Sequence, residues 1–454
     1  MSITAVYVFE QRHPMKKCLI ITYYFPPSGG PGVQRVLKFV KYLPEFGWEP
    51  VVLTVKDGDY PARDESLLKE IPPSLKVYRT SILEPYNLYR TLTGKKPGSA
   101  VDVNNIPKKG EKKSLSETLA EFVRSTFFIP DARVGWLLNA VNEAKKIIRR
   151  ENIEVLYSSS PPYTCALIAR NAHRATGIPW VAGFRDPWTG FLSTPSRWII
   201  PRKLDEYLER SCFQEATRIE VAWRGILNDM HAKYPDIPVA KVTHLPNGFD
   251  SADFPPVTFQ RNEKFTVTYA GSMYGVRNPG TFLRAITNLI HAGKVDPKKI
   301  RLKFIGRFGA EILEMFQNPV IAECIEVIHY LPHSQSIEHL MTSDALLLVV
   351  DEYAGGEEIV PGKVFEYMGA GRPIIGIAHE GAIASLLRET KSGMTAHNDD
   401  IPAIERVFLE YYTNYLYNKS AYSPDLHMIK QFERREIAGR LARLFSESCG
   451  QPSS

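Results

Sequence analysis

No stretch of this chain approaches the ~18–20 consecutive apolar residues that a membrane-crossing helix needs, so no span is predicted. Cysteine is scarce as well. Cys18, Cys165, Cys212, Cys324 and Cys449 are odd in number, far apart and free of any CxxC spacing. That leaves neither a disulfide framework nor a zinc site, and predicts buried thiols in a reducing, cytoplasmic compartment. The GxGxxG fingerprint is missing from both halves, which removes the signature a dinucleotide oxidoreductase would carry. Charge of one sign is not in large excess either: 56 Lys and Arg against 50 Asp and Glu leave a formal +6. The cations are spread rather than striped, so nucleic acid is not an expected partner. A mildly basic surface does suit anionic substrates or the cytoplasmic leaflet of a membrane.

What the chain has is length and rhythm. Its 454 residues, 44% hydrophobic and 23% charged, exceed the ~250–300 that one hydrophobic core sustains, so two globular domains are expected. Cys18-Leu-Ile-Ile-Thr-Tyr-Tyr reads as a buried strand, followed by a Pro/Gly loop, a helical pattern from Val33 to Leu43 and the strand Pro50-Val-Val-Leu-Thr-Val. Strand patterns recur at Lys76 to Arg79, Ile153 to Ser159, Trp180 to Phe184 and Arg218 to Val221. After a turn-rich segment they return at Phe265 to Ala270, Arg301 to Ile305, Ile325 to Tyr330, Ala345 to Val350 and Pro373 to Ile377. Strands alternating with helices predict a parallel sheet covered on both faces in each half, an α/β class. The turn-rich segment from His244 to Pro256 is the expected hinge, between domains spanning 15–255 and 256–425. The helical pattern from His427 to Phe445, within 426–454, is expected to pack across both domains, and 1–14 form an upstream extension without the features of a secretory leader. Residues 91–114, rich in Gly, Pro and Lys, are expected to be a flexible insertion. Its cluster Lys108-Lys109-Gly110-Glu111-Lys112-Lys113 offers one place for peripheral contact with an anionic membrane.

Glu358-Ile-Val-Pro-Gly-Lys-Val-Phe-Glu366 holds two carboxylates with seven residues between them, and Pro361 is suited to the first turn of a helix. Glu358 would then lie in the loop before that turn and Glu366 inside the helix. The amides of Gly362 and Lys363 would face whatever the carboxylates hold, and helix amino termini attract phosphate. Carboxylates for sugar hydroxyls beside amides and a lysine for phosphate describe a nucleotide-sugar site, although a surface Glu ahead of a helix-start Pro gives the same spacing. Two strand-end loops have matching compositions. Gly29, Gly30 and Gly32 follow the first strand and open a helix, the position where doubly wound sheets bind ligands. Gly271, Ser272 and Gly275 follow the strand that opens the second half, with Arg277 supplying a fixed charge suited to phosphate. Arg185 and Asp186 stand at the carboxyl end of another first-half strand.

Together, Phe25-Pro-Pro-x-Gly-Gly, Phe184-Arg-Asp-Pro-Trp, Pro246-Asn-Gly-Phe-Asp, Tyr269-Ala-Gly-Ser-x-Tyr and Pro361-Gly-Lys-x-Phe-Glu-Tyr resemble the family 4 glycosyltransferases, in a branch linked to polysaccharide assembly. The resemblance runs from Met15 to Phe445. It implies the GT-B fold: two Rossmann-like doubly wound parallel-sheet domains facing across a cleft, with the nucleotide-sugar donor held mainly by the second. It also implies retaining transfer of a hexose from a nucleotide-diphosphate sugar to a glycan or lipid-linked acceptor, with no metal and no cofactor. The expected location is the cytoplasm, at the inner face of the membrane. By position, Glu358 resembles the glutamate that contacts the donor sugar, and Glu366 the one that accepts hydrogen bonds from the ribose. Arg277 falls where the family places a diphosphate-binding arginine, Lys363 would add a second positive charge, and Arg307 would lie near the nucleotide. Gly29, Gly30, Gly271, Ser272 and Gly362 belong to the same donor site. The family commonly has a lysine a few residues after the arginine; here Asn278 follows it directly. Many relatives carry a histidine in the region of Arg185 and Asp186, and these two residues are assigned to acceptor or phosphate contact. Two other functions share the fold. A non-hydrolysing nucleotide-sugar epimerase would convert the donor without an acceptor, and a catalytically silent relative would bind nucleotide-sugar poorly and need not keep the paired glutamates.

Overall fold

The computed structural model describes residues 15–60, 62–83, 122–190, 194–256, 260–275, 277–329, 331–350, 357–419 and 422–450. The insertion expected over 91–114 and the extension 1–14 lie outside the described residues. The chain divides into two compact units, Met1–Leu245 with Ala438–Ser454, and Pro246–Ile437.

In the first unit β1 (Lys16–Ile21), β2 (Trp48–Val55), β3 (Lys76–Thr80), β4 (Val155–Ser160), β5 (Trp180–Phe184), β6 (Arg218–Val221) and β7 (Val242–His244) form one sheet. Its order is β3-β2-β1-β4-β5-β6-β7, and every pair is parallel. The helices α1 (Pro31–Tyr42), α2 (Leu137–Glu151), α3 (Thr164–Thr176), α4 (Ile199–Glu215) and α5 (Arg224–Lys233) connect these strands. In the second unit β8 (Phe265–Ala270), β9 (Ile300–Ile305), β10 (Ile325–Ile328), β11 (Ala345–Val349), β12 (Ile374–Ile377) and β13 (Gly393–Ala396) repeat the plan. Their order is β10-β9-β8-β11-β12-β13, again all parallel. Here the helices are α6 (Gly280–His291), α7 (Ala310–Met315), α8 (His333–Met341), α9 (Lys363–Gly369), α10 (Ala382–Glu389), α11 (Ile401–Leu416) and α12 (Leu426–Lys430). A last helix, α13 (Arg434–Ser448), begins in the second unit and ends in the first.

Parallel strands covered on both faces read as continuous apolar runs, and Cys18, Leu19, Ile20 and Ile21 of β1 are all fully buried. Both sheets reverse their strand order beside their own first strand: β1 lies between β2 and β4, and β8 between β9 and β11. Doubly wound sheets bind ligands outside the carboxyl ends of the strands at such a reversal. That directs attention to the loops after β1 and β4, and after β8 and β11. Four of the five cysteines are buried and all five are free.

Three elements depart from the sequence reading. β7 runs up to the first residue of the turn-rich segment and its three residues are only half-buried, while β13 is Gly-Met-Thr-Ala, with no apolar run. Both are edge strands recruited by a neighbour's backbone rather than by their own side chains. The single helical pattern from His427 to Phe445 is two helices, because the chain turns at Phe432 to pair with the start of the second unit. The Phe249 amide donates to the Phe432 carbonyl (3.1 Å) and the Arg434 amide to the Phe249 carbonyl (2.7 Å). Gly248 makes this approach possible, since a Cβ there would lie 2.0 Å from the Phe432 oxygen.

Candidate functional site

The reversal in the second sheet carries the unit's most constrained backbone. β8 is followed by Gly271 with φ of +132° and β9 by Gly306 with φ of +145°, conformations that residues with a side chain rarely adopt. The Gly271 amide donates to the Ile305 carbonyl (2.8 Å) and the Gly306 amide to the Ile328 carbonyl (2.9 Å). The ladder therefore continues one residue past each strand. The two glycines also touch, because a Cβ on Gly306 would lie 2.1 Å from the Gly271 oxygen. Beyond them the Met273 amide donates to the Arg307 carbonyl (3.0 Å) and the Gly309 amide to the Met273 carbonyl (3.0 Å). The loops after β8 and β9 are thus one bonded layer.

α9 closes on this layer. The Val364 amide donates to the Pro361 carbonyl and the Phe365 amide to the Gly362 carbonyl, each at 3.2 Å, which sets Lys363 in the first turn. Its ammonium donates to the Tyr269 hydroxyl at 2.8 Å and stands 4.3 Å from that ring's centroid. The Tyr269 hydroxyl in turn donates to the Ser272 carbonyl at 3.1 Å. One turn along α9, the Tyr367 hydroxyl accepts from the Ala270 amide at 2.9 Å; burial pushes this phenol well up, so it stays neutral. Residues four apart share a helix face, so the Lys363 and Tyr367 face is fastened to the end of β8. Gly271 leaves room for it: a Cβ there would lie 2.6 Å from Lys363 Nζ. The product is a half-buried ammonium held at a strand-end reversal, a pre-set charge for an anion.

Glu366 projects from the neighbouring face, and its Oε1 accepts from His333 Nε2 at 3.2 Å. His333 opens α8 just past β10, and sequence reading passed over it. The available signal was Leu331-Pro332-His333, a histidine at a helix start directly after a strand. Glu358 is exposed ahead of the turn, and the carbonyl of its neighbour Glu357 accepts from the Ala382 amide at 2.9 Å. The Arg277 amide donates to the Tyr274 carbonyl at 3.2 Å. Asn278, in the place where a basic residue is common, accepts from the Gly280 amide at 3.0 Å and so leads the chain into α6. The structure therefore gathers Lys363, Gly271 and Ser272 in one cluster, joins the Arg307 backbone to the same loop, and sets Glu366 against His333.

In the first unit the reversal carries Gly29 and Gly30. The Gly29 amide donates to the Ala62 carbonyl and the Asp64 amide to the Pro27 carbonyl, each at 2.9 Å, fastening the loop. Gly30, with φ of +100°, turns the chain into α1. Arg185 lies over this helix start, and a Cβ on Gly32 would sit 1.9 Å from its Nη1. Its guanidinium donates to the Pro161 carbonyl beyond β4, and its own carbonyl accepts from Trp223 Nε1 at 3.0 Å. The ends of β1, β4, β5 and β6 thus converge on one arginine. Next to it, burial raises the Asp186 carboxyl while the Arg185 charge pulls it back.

Two buried carboxylates of α4 hold the loop that follows. Asp205 accepts from Trp188 Nε1 at 2.8 Å and pairs with Arg197 at 2.8 Å. Glu209 accepts from the Thr189 amide at 3.1 Å and from the Tyr234 hydroxyl at 2.9 Å. Burial raises both carboxyls, opposed by Arg197 for Asp205 and by Lys233 for Glu209. The Tyr163 ring stacks on Trp188 with centroids 4.7 Å apart. These anchors were not singled out from the sequence, where acids at helical spacing read as a solvated face.

Two doubly wound parallel sheets in one chain, each with glycine turns and cations at its strand reversal, define the GT-B class of glycosyltransferase folds. A family model for Glycosyltransferase Family 4 matches residues 106–253, and one for Glycosyl transferases group 1 matches residues 264–414, together more than half of the chain. The chain belongs to the family 4 glycosyltransferases. No curated protein matches the sequence. Among solved structures, Anabaena HepE in complex with UDP is similar with a TM-score of 0.60 at 10% identity, covering 95% of this chain and 100% of that one. Sucrose-phosphate synthase from Thermosynechococcus elongatus gives 0.62 at 13% identity, covering 95% and 98%. The lipopolysaccharide outer core galactosyltransferase WaaB in its apo form gives 0.56 at 13% identity, covering 95% and 99%. At such identities the likeness is one of fold.

Proposed function

We propose that this glycosyltransferase is a retaining enzyme that moves a hexose from a nucleotide-diphosphate sugar to a glycan or lipid-linked acceptor in polysaccharide assembly, with the donor on the second unit and no metal taking part. The observation that carries the reading is Lys363, held by the Tyr269 hydroxyl over Gly271 at the strand reversal. A diphosphate donor is supported by the solved complexes of HepE, which contain UDP, UDP with glucose, and UDP-glucose.

In this reading the bond from the anomeric carbon to the diphosphate oxygen breaks, and its electron pair passes to that oxygen. Lys363, Arg277 and the Gly362 amide stabilise the developing charge. The acceptor hydroxyl oxygen bonds to the same face of the anomeric carbon, and its proton passes to the departing phosphate oxygen. No acid and base pair of carboxylates is needed, unlike glycoside hydrolysis. Glu366 accepts from the ribose hydroxyls, with His333 fixing its orientation, and Glu358 meets the donor sugar. Gly271, Ser272 and Arg307 line the nucleotide side, Gly29 and Gly30 offer amides to the donor phosphate, and Arg185 and Asp186 serve the acceptor or phosphate. Among the described residues no helix is long and apolar enough to cross a membrane; the reading places the reaction in the cytoplasm at the inner membrane face.

Glu366→Ala is expected to raise KM for the donor on the order of tenfold with kcat little changed, whereas Arg277→Ala lowers kcat on the order of a hundredfold. Unchanged kinetics in both variants, with a donor the enzyme turns over, would contradict the assignment. Proton NMR of the product reads the stereochemistry: the donor's anomeric configuration is expected, and the opposite anomer would exclude the same-face step.

A further inference from the structure

The helix α4 is amphipathic in the reverse sense. Its inward stripe, Pro201, Asp205, Glu209 and Cys212, carries two carboxylates and is buried. Its outward stripe, Ile200, Leu204 and Tyr207 at spacings of four and three, is 65%, 46% and 63% exposed. Trp198 and Ile199, where the helix begins, are exposed as well. Trp198 Nε1 donates to Thr126 Oγ1 at 2.9 Å, and Arg197 beneath it donates to the Ser125 and Phe128 carbonyls at 2.8 and 3.0 Å. These bonds bring the helical residues 122–127 alongside, where Phe127 is also exposed. The border of this apolar face is cationic: Arg124, Arg202 and Lys203 stand against Glu206, which pairs with Arg202 at 3.7 Å.

We propose that this face of the first unit docks on an anionic lipid bilayer. Apolar and aromatic side chains on one stripe with Lys and Arg at its edge match the headgroup boundary, where chains such as Ile and Leu leave water while indole and phenol stay at the wet edge. The cationic rim adds attraction to acidic lipids. The docking face is mechanically joined to the Asp186 loop, because the inward carboxylates of α4 hold Trp188 and Thr189. Docking would thereby present that loop to a lipid-linked acceptor at the membrane surface, a point that rests on the proposed function. The sequence reading put membrane contact on the lysines of 108–113, outside the described residues; the α4 face is a separate surface.

Sedimentation of the full chain with phosphatidylcholine vesicles, with and without phosphatidylglycerol, tests this. The wild type is expected to pellet with the phosphatidylglycerol vesicles. Ile200→Asp with Leu204→Asp lowers the bound-to-free ratio on the order of tenfold or more, and Lys203→Glu lowers it on the acidic vesicles alone. Far-UV circular dichroism checks folding, and the milder pair Ile200→Ser with Leu204→Ser is expected to give an intermediate loss. A wild type that stays in solution, a double variant that pellets equally, or a wild-type dimer that the double variant abolishes would each overturn the proposal. Thermal shift with nucleotide-sugars reads the donor site separately. Vesicle binding without any donor shift leaves the docking face standing and removes the proposed function; a donor shift without vesicle binding does the reverse.

Discussion

Lys363→Met is expected to lower kcat/KM by on the order of a hundredfold or more, with the loss mainly in kcat. Methionine keeps the aliphatic stem along the Tyr269 ring but removes the charge that, in the proposed reaction, the departing diphosphate meets. The fold should tolerate the change, because Tyr269 keeps its own bond to the Ser272 carbonyl and Tyr367 still fastens α9 to Ala270. Lys363→Arg restores the charge but not the fit. The lysine nitrogen already lies within 2.6 Å of where a Cβ on Gly271 would be, and a guanidinium is broader than an ammonium. Partial rescue is therefore expected from arginine. Steady-state kinetics on the pair, with melting temperatures alongside, checks this; a Met variant within a few-fold of wild type would remove Lys363 from the chemistry.

Gly306→Ala is expected to destabilise the second unit by ~3 kcal/mol or more and to abolish donor-induced stabilisation together. Two costs add. At φ of +145° an alanine carries backbone strain of ~1–3 kcal/mol, and its methyl would meet the Gly271 carbonyl at 2.1 Å, a backbone atom that cannot swing aside. The collision pushes the loop after β8 away from the loop after β9, which moves Gly271 and Ser272 relative to Lys363. Gly293→Ala is the control. Its φ of +65° is also left-handed, but no atom lies within 4 Å of the added carbon, so ~1 kcal/mol is expected. Urea midpoints on both variants, read with the slope of the transition, should separate them; equal losses would show that φ rather than the Gly271 contact sets the cost.

The parts of this fold legible in the sequence are those that a strand or helix determines by itself. β1, β5 and β8 are largely apolar runs bounded by turns, and Pro361-Gly-Lys363 announces a helix start whichever strands surround it. What depends on the reversal of strand order was not legible. Gly306 and His333 matter because β9 and β10 lie on one side of β8 while β11, leading to α9, lies on the other, and no local pattern carries that. Tyr269 looked like the end of a buried strand, yet its hydroxyl relays between Lys363 and Ser272. α4 carries no such signal either: acids four apart normally face water, and here Asp205 and Glu209 face inward, where they accept from Trp188 Nε1 and the Thr189 amide of the loop beneath them. Asn278 is the converse case, a departure from the family's basic pattern that acts in the structure as a turn into α6.

The central claim is that the strand reversal of the second unit holds the diphosphate and ribose of a nucleotide-sugar. Isothermal titration calorimetry of the full chain against a panel of uridine, adenosine and guanosine diphosphate sugars tests it most directly, run in parallel on wild type, Lys363→Met and Glu366→Ala. The expected result is saturable binding of at least one donor by the wild type, weakened on the order of tenfold in Glu366→Ala and about threefold in Lys363→Met, whose main loss is in kcat. Binding that survives unchanged in both variants, or no binding of any donor by a folded wild type, would contradict it.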